Sequence, residues 1–380
     1  MKRSLDAVAA KTIEVALEIG LFDALKQDGD ELESLARRLK VSARGLRPLL
    51  YLLTSLELLT EEAGRFTATE SGRIFLQEQW PEISAALTPA PEWQPLGQAV
   101  RLGVCPGSAI EGEGDGGGFF AQVVPMLFDL HWPMARHLAS HLPLEQGRVL
   151  DLGAGSAVWS LGLLSQRPEL TGVAVDRAQV LSEVAAPNLE RHGVLQRYEL
   201  RAGNYYEVAL EPGAYEVIFL GHLLHSDGLE LSRQLLAKCY TASAPGGLLV
   251  VAEMVGSQPR GLDYEANLFD LNMLMFTERG LVFTAGELEQ LGREAGYQVE
   301  GWVEGPGRYP VLLLRREAPE SETTMQQCIC MKTTTFNVSE PVCRDFQEPA
   351  RACDRTTSEL IREAMELYRL ESIRPRPSLL

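Results

Sequence analysis

A chain of 380 residues, 45% hydrophobic and 23% charged, has an ordinary globular composition and room for two or three domains. Its net charge of −17 excludes non-specific nucleic-acid binding by the chain as a whole, since neutralising phosphates takes clustered Lys and Arg. No apolar run reaches the roughly 18 residues of a membrane span, and six cysteines without a disulfide framework point to the reducing cytoplasm.

The start, MKRSLDAVAAKTIEVALEIG, has a basic tip, but Asp6, Glu14 and Glu18 break its apolar run. It reads as an amphipathic helix and not as a signal peptide. The runs LFDAL, LESLARRL and RGLRPLLYLLTSLELL carry apolar residues three and four apart, as helices on one core do. Ser42 is the expected N-cap of the third. EEAGRFTATESG then reads as a turn between short strands, which makes residues 1–90 a winged-helix unit. Its presumed recognition helix, 43–58, is rich in Leu and has only Arg44 and Arg47 as cations, so a structural or dimerising role is expected ahead of DNA reading.

Residues 91–145 read as a linker and helical connection: the tract EGEGDGGG at 111–118 is a surface loop, and FDLHWPMARHLASHL is helical. Strand-like runs follow near 148–152, 171–175, 198–202, 215–220, 247–253, 298–303 and 310–315, mostly separated by helical ones. That alternation predicts an α/β doubly wound sheet. No helix separates YQVEGWVEG from RYPVLLLRR, so these two should form a terminal antiparallel pair.

VLDLGAGS at 149–156 is a strand running into a glycine turn and a helix, the arrangement that brings backbone amides close to a ligand. TGVAVD ends in Asp176, placed to accept hydrogen bonds from a ribose diol. An adenosine-bearing cofactor follows. A dinucleotide expects a third glycine where this chain has Val158, whereas S-adenosylmethionine needs only the shorter D-x-G-x-G turn.

The series VLDLGAGS, VAVD, ELRAGNYYE, YEVIFLGHLLHSDGLE, APGGLLVVAEM and LNMLMFTERGLVFTAGELEQLGREAGY resembles, in order, the landmarks of small-molecule O-methyltransferases with an N-terminal dimerisation domain. The resemblance covers residues 1–316. It implies a class I methyltransferase fold with a seven-stranded sheet at 146–316, S-adenosylmethionine as cofactor, a homodimer, no metal, and methyl transfer to a hydroxyl of a small, phenolic or polyketide-like acceptor. It also implies that Asp151, Gly153 and Gly155 line the methionine and ribose end of the cofactor and that Asp176 binds the ribose. Asn204 stands where relatives use an aspartate to read adenine, and Tyr205 is expected to flank that ring. His225 is the expected general base, because imidazole titrates nearest neutral pH. Glu253 is expected to orient it. Relatives follow the histidine with Asp-Trp, where this chain has Ser226-Asp227, and their second glutamate is here Val282. His222, three residues before His225, would share a helical face with it.

After Arg316 the composition shifts. Past a linker at 317–330, residues 331–372 resemble a ribbon-helix-helix segment of small repressors, with a capping box at Thr357 or Ser358. That resemblance implies dimerisation and admits DNA as a partner, although residues 321–380 carry no basic excess. Cys328, Cys330, Cys343 and Cys353 match no zinc spacing. A cofactor-sensing pseudo-enzyme, a DNA-binding regulator, and a C- or N-methyltransferase of the same fold remain as alternatives.

Overall fold

The computed structural model describes residues 7–86, 91–106, 117–308 and 310–318, without the side chains of residues 86 and 117–123. Of the loop expected at 111–118, residues 111–116 lie outside the described residues and Gly117 and Gly118 already belong to a helix; the ribbon-helix-helix segment, its capping box and the four late cysteines also lie outside them.

The N-terminal part comprises helices α1 (Ala7–Glu18) and α2 (Leu21–Ala24), strand β1 (Asp30–Glu31), helices α3 (Leu32–Leu39) and α4 (Ala43–Ser55), strands β2 (Leu59–Glu62) and β3 (Arg65–Ala68), and helices α5 (Glu70–Glu78), α6 (Trp80–Ala86) and α7 (Leu96–Leu102). The apolar periodicity seen in the sequence is what these helices bury: Ile13 and Ala16 on α1, and Leu46, Leu49, Leu50 and Leu53 on α4, have no exposed surface. The expected hairpin β2–β3 gains β1 as a third strand, in the order β1-β3-β2. Ser42 occupies the N-cap position of α4, but its side chain makes no capping hydrogen bond. The same core takes in Trp93, Leu96, Ala99, Val100 and Cys105, so it extends past residue 90.

The long helix α8 (Gly117–Ala139) leads to β4 (Gln146–Leu152), α9 (Val158–Leu164), β5 (Glu169–Asp176), α10 (Ala178–Val180), α11 (Ala186–Arg191), β6 (Tyr198–Ala202) and β7 (Tyr215–Gly221). Then come α12 (Leu224–Ala242), β8 (Ser243–Ala252), β9 (Val255–Gly256), α13 (Tyr264–Phe276), β10 (Phe283–Thr284), α14 (Ala285–Glu294), β11 (Gln298–Val303) and β12 (Val311–Arg315). Among the described residues the main sheet has seven strands in the order β11-β12-β8-β7-β4-β5-β6. It is parallel except for β12, which runs antiparallel to both β8 and β11.

Alternation along the strands divides the core. Val217 and Phe219 pack under α8 and α9, while Ile218 and Leu220 pack under α12 and α14. β8 starts at Ser243, earlier than its apolar run suggests, because the register shifts opposite Tyr215–Val217 and takes the glycines into the strand. Thr284 and Glu287 form a reciprocal capping box on α14. Helix α13 packs on α4, with Leu271, Leu274 and Met275 in the N-terminal core. The sheet's switch point lies between β4 and β7, where ligands bind outside the carboxyl ends of the strands in such folds.

Candidate active site

At the end of β4 the chain turns through left-handed backbone at Gly153 (φ 61°), Gly155 (φ 54°) and Ala157 (φ 58°). A Cβ on Gly153 would lie 2.5 Å from Leu223 Cδ2 and would push that side chain aside, and the left-handed backbone itself favours glycine here. Asp176, at the end of β5, holds the turn: its carboxylate accepts the Gly155 and Arg177 amides, each at 2.7 Å. Burial raises its pKa. Each carboxylate oxygen keeps a further acceptor position, the donor chemistry a ribose diol requires. Val158, buried at 4% exposure, fills with a branched side chain the place a dinucleotide motif keeps for glycine. The turn therefore fits an adenosyl cofactor and not a dinucleotide.

Asp151 is turned inward. It is 1% exposed, and its carboxylate lies under the first turn of α9, accepting Ser160 Oγ at 2.5 Å and Ser160 N at 3.2 Å. Tyr198 donates to the same Ser160 hydroxyl. Burial pushes the Asp151 carboxyl up to about 7. A side chain so enclosed fixes the strand–turn–helix joint, with its carboxylate spent on Ser160.

The segment after β6 is built by two residues that the sequence reading did not single out. Asp227 accepts the hydroxyls of Tyr205 at 3.0 Å and Tyr206 at 2.7 Å, and Lys238 Nζ donates to the carbonyls of Tyr205, Tyr206 and Val208. Asn204 is exposed, and its Oδ1 accepts the Tyr206 amide at 2.9 Å. One lone pair of that oxygen is thus taken locally and one is left for a ligand. Tyr205 leans by its hydroxyl on Asp227, which fixes its ring beside that of Tyr206, 4.9 Å away between centroids. The signal in the sequence was an acid two positions after the histidine.

His225, 8% exposed, opens α12, and its Nδ1 lies 2.6 Å from Oε2 of Glu253, which follows β8. A carboxylate only accepts, so Nδ1 carries the proton and Nε2 is left with the lone pair. The ring of Phe269 meets that of His225 edge-on at 5.0 Å. Val282 is buried and carries no acid to the histidine, and Glu278 pairs with Arg279. Glu253 alone therefore supplies the carboxylate on Nδ1 among the described residues.

His222 does not share a helical face with His225. It precedes α12 in left-handed backbone (φ 57°), and its ring stacks on that of His131 from α8 at 4.4 Å. Burial pulls its pKa down to about 3, which makes it a poor proton acceptor near neutral pH. His222, His225 and Glu253 each bring one donor atom within 4.8 Å of the others. The Glu253 carboxylate is already engaged by His225 and by the Leu224 amide.

A family model described as an O-methyltransferase domain matches residues 134–298, and one described as an O-methyltransferase dimerisation domain matches residues 2–78. The 3-hydroxy-5-methyl-1-naphthoate 3-O-methyltransferase of Streptomyces sahachiroi is 27% identical over 299 residues, 75% of this chain and 85% of that protein. An O-methyltransferase family 2 protein from Planctomyces limnophilus, solved in complex with apigenin, superposes with TM-score 0.69 at 24% identity over 81% of this chain and 92% of its own. Human N-acetylserotonin methyltransferase, solved in complex with S-adenosylmethionine, gives TM-score 0.50 at 20% identity, covering 84% of this chain and 100% of its own.

Proposed function

The chain belongs to the S-adenosylmethionine-dependent O-methyltransferases that carry an N-terminal dimerisation domain, and from that membership we propose that His225 is the base for methylation of a phenolic or polyketide-like hydroxyl. The observation that carries this reading is the 2.6 Å contact between His225 Nδ1 and Glu253, which leaves Nε2 as the free acceptor. The bound cofactor supplies an electrophilic methyl group on a sulfonium.

Asp176 would hold the ribose, the 153–155 turn would approach the cofactor through its backbone, and Asn204 with Tyr205 would flank the adenine. His225 Nε2 takes the acceptor hydroxyl proton as the oxygen becomes the nucleophile, and Glu253 stabilises the imidazolium so formed. The ring of Phe269, edge-on to His225 at 5.0 Å, narrows the access of water to the base.

In this reading the enzyme is a homodimer assembled through residues 1–90, with the methyltransferase domain at 146–316, and it works in the reducing cytoplasm. Among the described residues no helix is long and apolar enough to cross a membrane. DNA reading through α4 has no place in it, because both cations of that helix are engaged within the protein: Arg44 on the carbonyls that end α13, and Arg47 on Asp270.

The test is a mass-spectrometric screen of small phenols and hydroxylated aromatic acids for a gain of one methyl group that depends on S-adenosylmethionine. His225→Ala should lower turnover by about 10²–10⁴-fold and leave S-adenosylhomocysteine affinity nearly unchanged. Full activity of that variant at neutral pH would remove His225 from the role.

A further inference from the structure

We propose that Arg44 is a positioning residue for methyl transfer: from α4 of the N-terminal domain it grips the turn after α13, and that turn holds the main chain of His225. The proposal rests on His225 being the base.

The guanidinium sits on the carbonyl end of α13. The two N–H groups of its Nη2 are shared among Met273 O at 3.2 Å, Thr277 O at 3.1 Å and Gly280 O at 3.3 Å, while Nη1 donates to Gly103 O. Met273 O already accepts the Thr277 amide at 3.1 Å, but the end of a helix carries the negative end of its dipole, so a cation supplied from another element is a natural cap there. Thr277, 3% exposed, completes the knot: its hydroxyl donates to Met273 O at 2.6 Å and accepts the Gly280 amide at 2.8 Å.

From this turn the contact passes directly to the proposed base. The Leu281 amide donates to the carbonyl of His225 at 2.7 Å. Gly280 lies so close that an added Cβ would stand 2.5 Å from the same carbonyl oxygen, so backbone meets backbone with no compressible side chain between. Three residues on, Gly228 kinks α12 (φ 73°, ψ −176°), and a Cβ there would strike the carbonyl of Arg279. The segment 279–281 is thus seated against 225–228 at two points.

A second arginine one helical turn along α4 repeats the arrangement. Arg47 Nη2 donates to Asp270 Oδ1 at 2.7 Å, and the same oxygen accepts the Val282 amide at 2.7 Å. The two cations that a DNA-reading helix would turn outward are turned onto the 270–282 segment, Arg47 at Asp270, which ties its ends, and Arg44 between them. Main-chain placement matters because small displacements of a reacting group cost large factors in rate.

The test compares Arg44→Gln, Arg44→Lys and His225→Ala in the full-length protein with S-adenosylhomocysteine bound. The first readout is the low-field proton resonance of the His225 Nδ1–H in ¹⁵N-histidine-labelled protein, identified by its loss in His225→Ala. Arg44→Gln should shift or broaden it, and Arg44→Lys should restore it in part. The second readout is turnover across pH with a hydroxynaphthoate as acceptor probe. Arg44→Gln should lower kcat about tenfold with KM for the probe within twofold, and the deficit should shrink as pH approaches the ionisation of the phenol itself, near 10.

A purely structural cap would lower thermal stability and leave the resonance and the pH profile unchanged, which would overturn the proposal. If Arg44→Gln does not fold, Arg44→Lys carries both readouts. Full turnover of His225→Ala would instead defeat the base assignment, an outcome distinct from a normal Arg44→Gln beside an impaired His225→Ala.

Discussion

Glu253 holds His225 from the neighbouring strand end: Oε2 meets Nδ1 at 2.6 Å while Oε1 accepts the Leu224 amide at 2.7 Å. One carboxylate therefore anchors both the first turn of α12 and the imidazole ring. Burial works to raise its pKa, but the His225 ring beside it and the hydrogen bonds it accepts hold it below the usual glutamate range. An ionised acceptor on Nδ1 is what fixes the tautomer with a basic Nε2.

Replacing Glu253 by Gln keeps the shape and reverses that logic. The amide can donate to Nδ1, which moves the ring proton to Nε2 and removes the lone pair the acceptor hydroxyl needs. We expect kcat to fall by about 10²–10⁴-fold, as for a mis-set tautomer in a histidine–carboxylate pair. Calorimetric affinity for S-adenosylhomocysteine should be retained. Undiminished kcat in Glu253→Gln would show that the carboxylate has only a structural part.

Asp176→Ala removes both the expected ribose acceptor and a hydrogen bond from the Gly155 amide. Loss of hydrogen bonds to a charged group is expected to weaken S-adenosylmethionine binding by about 1.5–3 kcal/mol. Titration calorimetry with wild type and variant measures it, with NAD as the control ligand. Tighter binding of NAD than of the adenosyl ligand would contradict the fit at Val158.

The parts of this protein that the sequence made legible are those with short-range periodicity. The central strands β4, β5, β7 and β8 stand near the apolar runs that announce them, because a strand buried on both faces has little other composition available. Gly153, Gly155 and Asp176 were visible because a turn that must admit a ligand leaves a local pattern. Arg44 and Arg47 were visible only as two cations on a Leu-rich helix; their partners on α13 and the following turn lie more than 200 positions away. The bonds of Asp151 to Ser160 are not legible in the motif, because a motif cannot show which way a strand-end side chain turns. His222 was misplaced on a helical face because left-handed backbone at a non-glycine residue has no spacing signal.

Asp227 offers a sharper check on the 204–208 segment. Its carboxylate is the common acceptor of two tyrosine hydroxyls, and burial raises its own pKa. Asp227→Ala leaves both hydroxyls without that acceptor and should destabilise the fold by about 1–3 kcal/mol, with a loss of cofactor affinity if this segment flanks the adenine. Tyr206→Phe should cost less, since it removes one donor and leaves Tyr205 bonded. Urea unfolding and calorimetry on the same samples separate the two effects. Equal stability of Asp227→Ala and wild type would mean that the tyrosine pair does not depend on it.

His222 predicts how stability responds to acid. Its imidazole has a pKa of about 6.5 when unfolded and is held down to about 3 by burial in the folded protein, with the nearby rings of His131 and His225 adding to the effect and Glu253 opposing it. Between these values the unfolded chain binds a proton that the native protein does not. The contribution is therefore fully present above pH 6.5 and is lost as pH falls toward 3, at a limiting slope of about 1.4 kcal/mol per pH unit. His222→Phe keeps an aromatic ring to stack on His131 and removes the titration. Its stability should fall less steeply than wild type between pH 6.5 and 4.5 in urea-unfolding series, while the two curves run parallel above pH 7. Parallel curves through the acid range would show that His222 takes up its proton as readily in the folded protein as in the unfolded chain.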